Sequence, residues 1–525
     1  MRINSLPNMN LNLSPQTSFT GGNQPTMGNK ASKSNAPIKT SIFYLNDVHG
    51  KMTNMERIMT VSDIYDKKYI DPKVATLKLA SGDIILGANY TSNMVANKFL
   101  NWIGVTANGL GNHELDVVPS KLAELMKSAK YNLLAVNATV DKNSPMYGKI
   151  QKSKIEEEAG QKFGIIGVAP SDMAERVKLN DSVKDIKIDD FETTKKKVQE
   201  EVNKLKQLGI DKIILLSHIG FAQDKRLAQE TEGVDIILGG HSHNMVKDVE
   251  KDVNLFTTKS GEPVVITQAG KDGEHVGVLD VEWTDDGTLS KVQNNVVNTR
   301  KFNRTLDSRT AVEEIIGKPE ILGTVSYADP EPKNRLVANN PHGCMIVDAM
   351  RSELGTDIAI LNAGNIRGHF DVGRVDSRLI NDITPFEDKM IVGRLSEKDI
   401  VDAINVGAKS LVASNSKPGI LLLSGMKYKI DDKGKLLSLT YTNKDGQNEN
   451  IDVNNPNPNR TFTCAMDDFF AMGGDNYLPT NEKPDFIIQK YNIDKNKLAC
   501  DHIKKLDQPM EIRNDHRVEI VKSNG

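Results

Sequence analysis

Cysteine is scarce in this chain. Cys344, Cys464 and Cys500 are widely separated, confined to the C-terminal part and odd in number, so they define no disulfide framework. None lies near a segment that carries metal-seeking side chains, and the expected state is three unpaired thiols. Aromatic residues make up 5% and hydrophobic residues 38% of the sequence, modest but adequate for the two large domains that 525 residues imply. No apolar run approaches the roughly 20 residues of a membrane span, and the closing V-E-I-V-K-S-N-G has no hydrophobic tail for a lipid anchor. The first forty residues, rich in Asn, Ser, Thr, Gly, Pro and Met, lack the apolar core of a secretory signal, and residues 1–39 are expected to be a disordered tail. Neither sign of charge dominates. Lys and Arg number 67 against 70 Asp and Glu, a formal charge of −3, which argues against a nucleic-acid polymer or an anionic membrane surface as partner. A small phosphorylated ligand needs only local positive charge. Oligomeric state and compartment are not legible.

What is present is a concentration of histidine. Five of the ten histidines, His49, His113, His218, His241 and His243, fall in five short segments between residues 47 and 243. The segments are D-V-H-G at Asp47 to Gly50, G-D at Gly82-Asp83, G-N-H-E-L-D at Gly111 to Asp116, S-H at Ser217-His218 and G-G-H-S-H at Gly239 to His243. Each closes or follows an apolar run. Alone, a D-x-H or a G-D is an ordinary turn and G-N-H-E a loop with left-handed backbone; five together describe one site. Imidazole and carboxylate without thiolate suit Mn²⁺, Fe²⁺, Co²⁺ or Zn²⁺, and a carboxylate bridges two ions. Asp47 and His49 are two residues apart, as are His241 and His243, so strand alternation is expected to aim each pair one way. Asp83 is the natural bridge, and Asn112 adds a neutral oxygen. Two ions about 3.5–4 Å apart clamp a phosphoryl group and activate a water, which points to phosphoester hydrolysis. His275 lies outside the pattern and reads as an ordinary strand or loop residue.

In this order the segments resemble the calcineurin-like metallophosphoesterases. The resemblance extends to the 5′-nucleotidase family, because I-F-Y-L-N precedes D-V-H-G and an Asp stands three residues after the His of G-N-H-E-L-D. It implies that Asp47, His49, Asp83 and His243 hold one metal and that Asp83, Asn112, His218 and His241 hold the other. His113 and Asp116 would form a dyad that binds no metal. A carboxylate-oriented His suits donation to a phosphoryl or leaving oxygen.

From residue 42 to about 298, β-branched runs alternate with amphipathic stretches, the pattern of a layered α/β domain. Predicted strands cover 42–45, 75–79, 133–136, 164–168, 212–216, 235–238, 264–268 and 276–283, and predicted helices 52–67, 93–103, 120–128, 191–208 and 221–230. The more purely β segments at the end suggest a second sheet packed on the first, and the resemblance implies a four-layer α/β/β/α sandwich. The expected organisation is a metallophosphoesterase domain over 40–300, a linker with a bridging helix over 301–341, whose D-P-E-P-K and N-N-P-H-G are linker-like, and a smaller α/β substrate-binding domain over 342–525. The resemblance also suggests a rotation between the domains.

The last domain resembles the 5′-nucleotidase C-terminal domain through D-A-M (348–350), N-A-G-N-I-R-G (362–368), P-F-E-D (385–388), L-S-G-M-K-Y (423–428) and D-F-F-A-M-G-G-D-N-Y (468–477). It implies that Phe386 and Phe469 sandwich a nucleobase, that Asn362 and Arg367 contact base, sugar or phosphate, and that Asp475 accepts from the ribose hydroxyls. Two departures stand out: Asp388 replaces the family's Asn after P-F-x, and H-G-C-M-I-V precedes D-A-M. The expected partner is a nucleotide and the expected reaction removal of phosphate from nucleoside 5′-monophosphates. Related alternatives are a 2′,3′-cyclic phosphodiesterase with 3′-nucleotidase activity and a UDP-sugar hydrolase. An alternative of another class is a silent nucleotide-binding protein, against which stands the completeness of the ligand set.

Overall fold

The structure is a computed structural model that describes residues 17–18, 38–87, 89–172, 182–386, 388–478 and 486–523. The expected tail therefore lies outside the described residues, except Thr17–Ser18, which pair antiparallel with Val292 and Lys291, and Ile38 and Lys39, which begin a strand. The chain divides into two compact units, Met1–Gly317 and Lys318–Gly525. Among the described residues no helix is long and apolar enough to cross a membrane.

The first unit holds two sheets. In one, β1 (Ile38–Leu45), β2 (Val74–Ala80), β3 (Ala107–Gly109) and β4 (Asn132–Leu134) run parallel, joined through α1 (Met52–Lys68), α2 (Tyr90–Trp102) and α3 (Pro119–Met126). In the other, β5 (Gln161–Val168), β6 (Lys212–Ser217), β7 (Ile236–Gly239) and β8 (Pro263–Thr267) run parallel, with α4 (Phe191–Gln207) and α5 (Phe221–Glu230) in the connections. The final strands, β9 (His275–Trp283) and β10 (Leu289–Asn298), return to the first sheet and pair antiparallel, β9 beside β1. This differs from the expectation that the late β segments build the second sheet. Alternation reports which faces of a strand are buried, not which neighbour it pairs with. His275 is simply the first residue of β9.

Period-2 alternation builds the layers. Ile42 and Tyr44 of β1 face Ile214 and Leu216 of β6 and Ile236 and Leu238 of β7 in a core between the sheets. Phe43 and Leu45 face the opposite way and pack with Met55 and Ile58 of α1 and Phe99 of α2. Ile213 and Leu215 of β6 do the same on the far side, against Val198 and Val202 of α4 and Leu227 of α5. The result is helix, sheet, sheet, helix.

Residues 301–341 contain α6 (Leu306–Ile316), which packs on α1 and α2 through Val312, and a strand, Ile321–Ala328, paired with Gly373–Asp376 and Met510–Ile512. The second unit is centred on a five-stranded sheet of β11 (Ile358–Asn362), β12 (Lys389–Ser396), β13 (Leu421–Ser424), β14 (Thr461–Asp467) and β15 (Ile487–Asp494). The spatial order is β13, β11, β14, β12, β15. Around it lie α7 (Pro341–Leu354), α8 (Ser377–Ile383), α9 (Glu397–Ala408), α10 (Asp468–Ala471) and α11 (Lys495–Ile503).

Candidate functional site

Parallel strands of both sheets in the first unit end at one place, and the polar residues just beyond them collect there. Asp47 and His49 follow β1, Asp83 follows β2, Asn112 and His113 follow β3, His218 follows β6, and His241 and His243 follow β7. Donor atoms of Asp47, His49 and His243 lie within 4.8 Å of one another, as do those of Asp83, His218 and His241 and those of His49, Asp83 and His113. Asp83 sits at the junction, its Oδ2 3.0 Å from His218 Nε2, 3.7 Å from His49 Nε2 and 4.0 Å from His113 Nε2. Asp47 Oδ1 is 3.2 Å from His243 Nε2 and 3.8 Å from both His49 Nε2 and His218 Nε2. Asn112 Oδ1 lies 2.9 Å from His241 Nδ1.

Strand alternation does not align these pairs. Asp47, His49, Asp83, His241 and His243 all have positive φ, between 51° and 73°, beyond the strand ends. Each left-handed non-glycine residue costs about 1–3 kcal/mol, and such residues persist where surrounding structure over-determines them, commonly at functional sites.

Groups behind the ligands set their orientation. His218 Nδ1 donates to the Ser81 carbonyl at 2.6 Å and His49 Nδ1 to Asp272 Oδ1 at 2.9 Å, which turns each Nε2 inward. Both Nε2 atoms are buried and make no hydrogen bond among the described residues. Burial opposes charge on these imidazoles, but Asp272, Asp83 and Asp47 outweigh it at His49, pushed up to about 9. Burial is likewise outweighed by Asp83 and Asp47 at His218, pushed up to about 10. Burial favours a neutral Asp83, yet His218 and His113 hold its carboxyl well below the usual range. A site that attracts protons so strongly between carboxylates is built for a cation, whose binding expels those protons.

Glu114, inside G-N-H-E-L-D, is buried and accepts from the amides of Asp83, Ile84 and Gly111, each at 2.9 Å. It thereby ties the β2 and β3 loops together. A Cβ on Gly111 would lie 2.2 Å from Asp83 Oδ1, so only glycine fits that approach. Asn46 donates to Asp47 Oδ2 at 2.7 Å and to the Gly270 carbonyl at 2.8 Å. His113 Nδ1 lies 2.6 Å from Asp116 Oδ2, and the His113 amide donates to Asp83 Oδ1 at 2.8 Å. The Gly87 amide holds the same Asp116 oxygen at 2.8 Å.

Asp272, Glu114, Asn46 and Ser81 were not singled out from sequence. Glu114 had a signal, a carboxylate inside a ligand-bearing motif; Asp272, in K-D-G after β8, had none. Asp272→Asn keeps an acceptor for His49 but removes the charge, and metal affinity at His49 is expected to fall about tenfold or more, measured by metal titration with isothermal calorimetry. Unchanged affinity would mean that Asp272 does not support His49.

The second unit arranges the other predicted residues. Asn362 ends β11 and is buried, accepting at Oδ1 from Asn365 at 2.8 Å. Arg367 Nε donates to the Gly364 carbonyl at 2.7 Å, and its guanidinium lies over the Phe386 ring, 5.4 Å from the centroid. Phe386 and Phe469 are half-buried, whereas Phe470 and Tyr477 are fully buried and stacked in the core. Asp475 is exposed, at φ 54° in the short turn Gly474–Asn476, and Gly474 packs so close to the Phe469 ring that a Cβ there would come within 2.5 Å of it. The structure thus brings Arg367 to Phe386, and the turn that bears Asp475 to Phe469.

The calcineurin-like phosphoesterase family matches residues 40–245, and the 5′-nucleotidase C-terminal domain matches residues 322–481. The chain belongs to the 5′-nucleotidase family. Family membership makes it a metal-dependent phosphoester hydrolase. It is 24% identical over 496 residues to the trifunctional nucleotide phosphoesterase protein YfkN of Bacillus subtilis, a match covering 83% of this chain and 32% of that protein. It is 24% identical over 535 residues to the NAD 5′-nucleotidase of Haemophilus influenzae, covering 86% of this chain and 87% of that one. A solved 5′-nucleotidase precursor from Thermus thermophilus shares the fold, with a TM-score of 0.69 at 20% identity over 92% of this chain and 100% of the other. The four-layer sandwich with a C-terminal domain is therefore this family's architecture.

Proposed function

We propose that this 5′-nucleotidase-family chain removes the phosphate of nucleoside 5′-monophosphates at a centre of two divalent ions, drawn from Mn²⁺, Zn²⁺, Co²⁺ or Fe²⁺. The observation that carries the reading is the pair of buried, unbonded Nε2 atoms of His49 and His218 turned toward the carboxylates of Asp47 and Asp83. Imidazole, carboxylate and amide donors without thiolate fit such ions. Asp47, His49, Asp83 and His243 would hold one, and Asp83, Asn112, His218 and His241 the other. When bound, such a pair polarises phosphoryl oxygens and lowers the pKa of a water.

The chain's own residues do the rest. Asp272 and Ser81 hold the Nδ1 protons of His49 and His218, so that each Nε2 faces inward and would become a ligand once a cation displaces its proton. His113, oriented by Asp116, holds a proton at Nε2 for the phosphoryl or leaving oxygen. In the second unit, Phe386 and Phe469 offer aromatic faces to a base, worth about 1–3 kcal/mol per stack by analogy with single-strand binders. Arg367 and Asn362 would contact base, sugar or phosphate, and the Asp475 carboxylate would accept from vicinal ribose hydroxyls, with Arg giving planar recognition of phosphate oxygens. The names of the relatives, among them NAD 5′-nucleotidase and a trifunctional phosphoesterase, support nucleotides as the substrate class.

A substrate panel tests the reading. Protein loaded with Mn²⁺ or Co²⁺ is expected to release phosphate from AMP with kcat/KM about tenfold or more above that for 3′-AMP, 2′,3′-cyclic AMP or UDP-glucose. Should the cyclic nucleotide or the nucleotide sugar lead, the 5′-monophosphate assignment gives way to that activity on the same centre.

A further inference from the structure

Three of the segments that carry the candidate nucleoside site of the second unit are the end of β11 and the turn after it, with Asn362 and Arg367, the stretch before β12 with Phe386, and α10 with Phe469. One buried ion pair, absent from the predicted site, touches all three. Lys495, the first residue of α11, is completely buried. Its Nζ donates to the Phe386 carbonyl at 3.1 Å and to Asp388 Oδ2 at 3.0 Å, and lies 3.6 Å from Oδ2 of the equally buried Asp467. Asp467 Oδ2 accepts at 3.0 Å from Asn365 Nδ2, which also donates to Asn362. Asp467 Oδ1 accepts from the Phe470 amide at 2.9 Å and so caps the helix that bears Phe469. The next residue of α11, Asn496, donates to the Thr384 carbonyl at 2.8 Å and to Asn381 Oδ1 at 2.9 Å. The segment with Phe386 is therefore held from both directions.

Lysine is a costly choice at this position. The first turn of a helix presents partially positive amides, which disfavour a cation, and a fully buried ammonium is expensive unless paired. Well-packed apolar residues commonly replace a buried ion pair without loss of stability, so stability alone does not account for one. What the pair supplies is direction: two charges fix the backbone of one aromatic, the cap of the other and the amide that orients Asn362. The departure at Asp388 belongs to the same network, because its carboxylate is bound by Lys495.

We propose that the Lys495–Asp467 pair is a positioning device for nucleoside recognition, setting Phe386, Phe469 and Asn362 relative to one another without touching substrate. The inference rests on the nucleoside-site reading above. In the full-length, Mn²⁺-loaded protein, Lys495→Met is expected to raise KM for AMP about tenfold or more while kcat stays within about threefold, the mark of lost uniform binding. The inhibition constant of adenosine should rise in parallel, and the preference for AMP over p-nitrophenyl phosphate, measured as a ratio of kcat/KM values, should fall by the same factor. Lys495→Met strands a buried carboxylate, so the double variant Lys495→Met with Asp467→Asn, which carries neither charge, is measured beside it and checked by thermal unfolding. A raised KM in the folded double variant supports the proposal. A wild-type KM and adenosine constant in that variant overturn it while leaving the nucleoside site standing. Wild-type protein that shows no preference for AMP over p-nitrophenyl phosphate overturns both, since there is then no nucleoside selectivity to position.

Discussion

Asp83→Ala is expected to lower kcat for phosphate release by about 10³-fold or more, because loss of a bridging carboxylate removes several kcal/mol of charge stabilisation at the transferring group. Asp83 belongs to two of the three close donor groups of the centre. Its Oδ2 lies within 4.0 Å of His49, His113 and His218, and its Oδ1 accepts the His113 amide. The other buried carboxylate of the donor groups, Asp47, is held by Asn46 and by the His241 amide. Metal content measured by plasma mass spectrometry should fall with activity, while circular dichroism shows a folded protein. Asp83→Ala protein that keeps more than about a tenth of wild-type kcat would end the two-ion reading, since a bridging ligand is worth far more than 1.4 kcal/mol.

His113→Ala is expected to lower kcat by about 10²–10⁴-fold, the usual range for a positioned acid or base, with KM little changed and metal content intact. Two outcomes compete here. The His113 donor atom falls in one of the three close groups, with His49 and Asp83, which by distance alone suits a metal ligand. Its other ring nitrogen is held 2.6 Å from Asp116, which suits a proton donor of fixed tautomer. Loss of one ion in His113→Ala would make it a ligand and overturn the dyad; a slow enzyme with its full metal supports it. Asp116→Asn should fall between wild type and His113→Ala, because an amide still orients the ring but no longer stabilises its charge.

Much of the fold was legible because its strands are short and strongly patterned. The apolar run K-I-I-L-L-S of β6 and the amphipathic helices α1, α4 and α5 fall where periodicity places them, to within one or two residues. The ligand types were legible too, since each sits immediately past such a run. What periodicity misjudged was instructive: Asp47 and His49 converge through left-handed turns, and β9 and β10 join the first sheet.

The available chemistry is written locally in the chain: imidazole, carboxylate and amide donors at the ends of alternating strands, with aromatic and arginine side chains in a second region. How those donors are held comes from long-range packing. Asp272 reaches His49 across 223 residues of chain, Glu114 binds amides of two loops, and Lys495 meets Asp467 and Asp388 beneath the half-buried aromatics. The reason is physical. Local periodicity encodes which face of an element is buried, whereas the partner of a single buried polar side chain depends on how distant elements pack. Burial then makes that partner obligatory, because an unpaired polar group removed from water is costly.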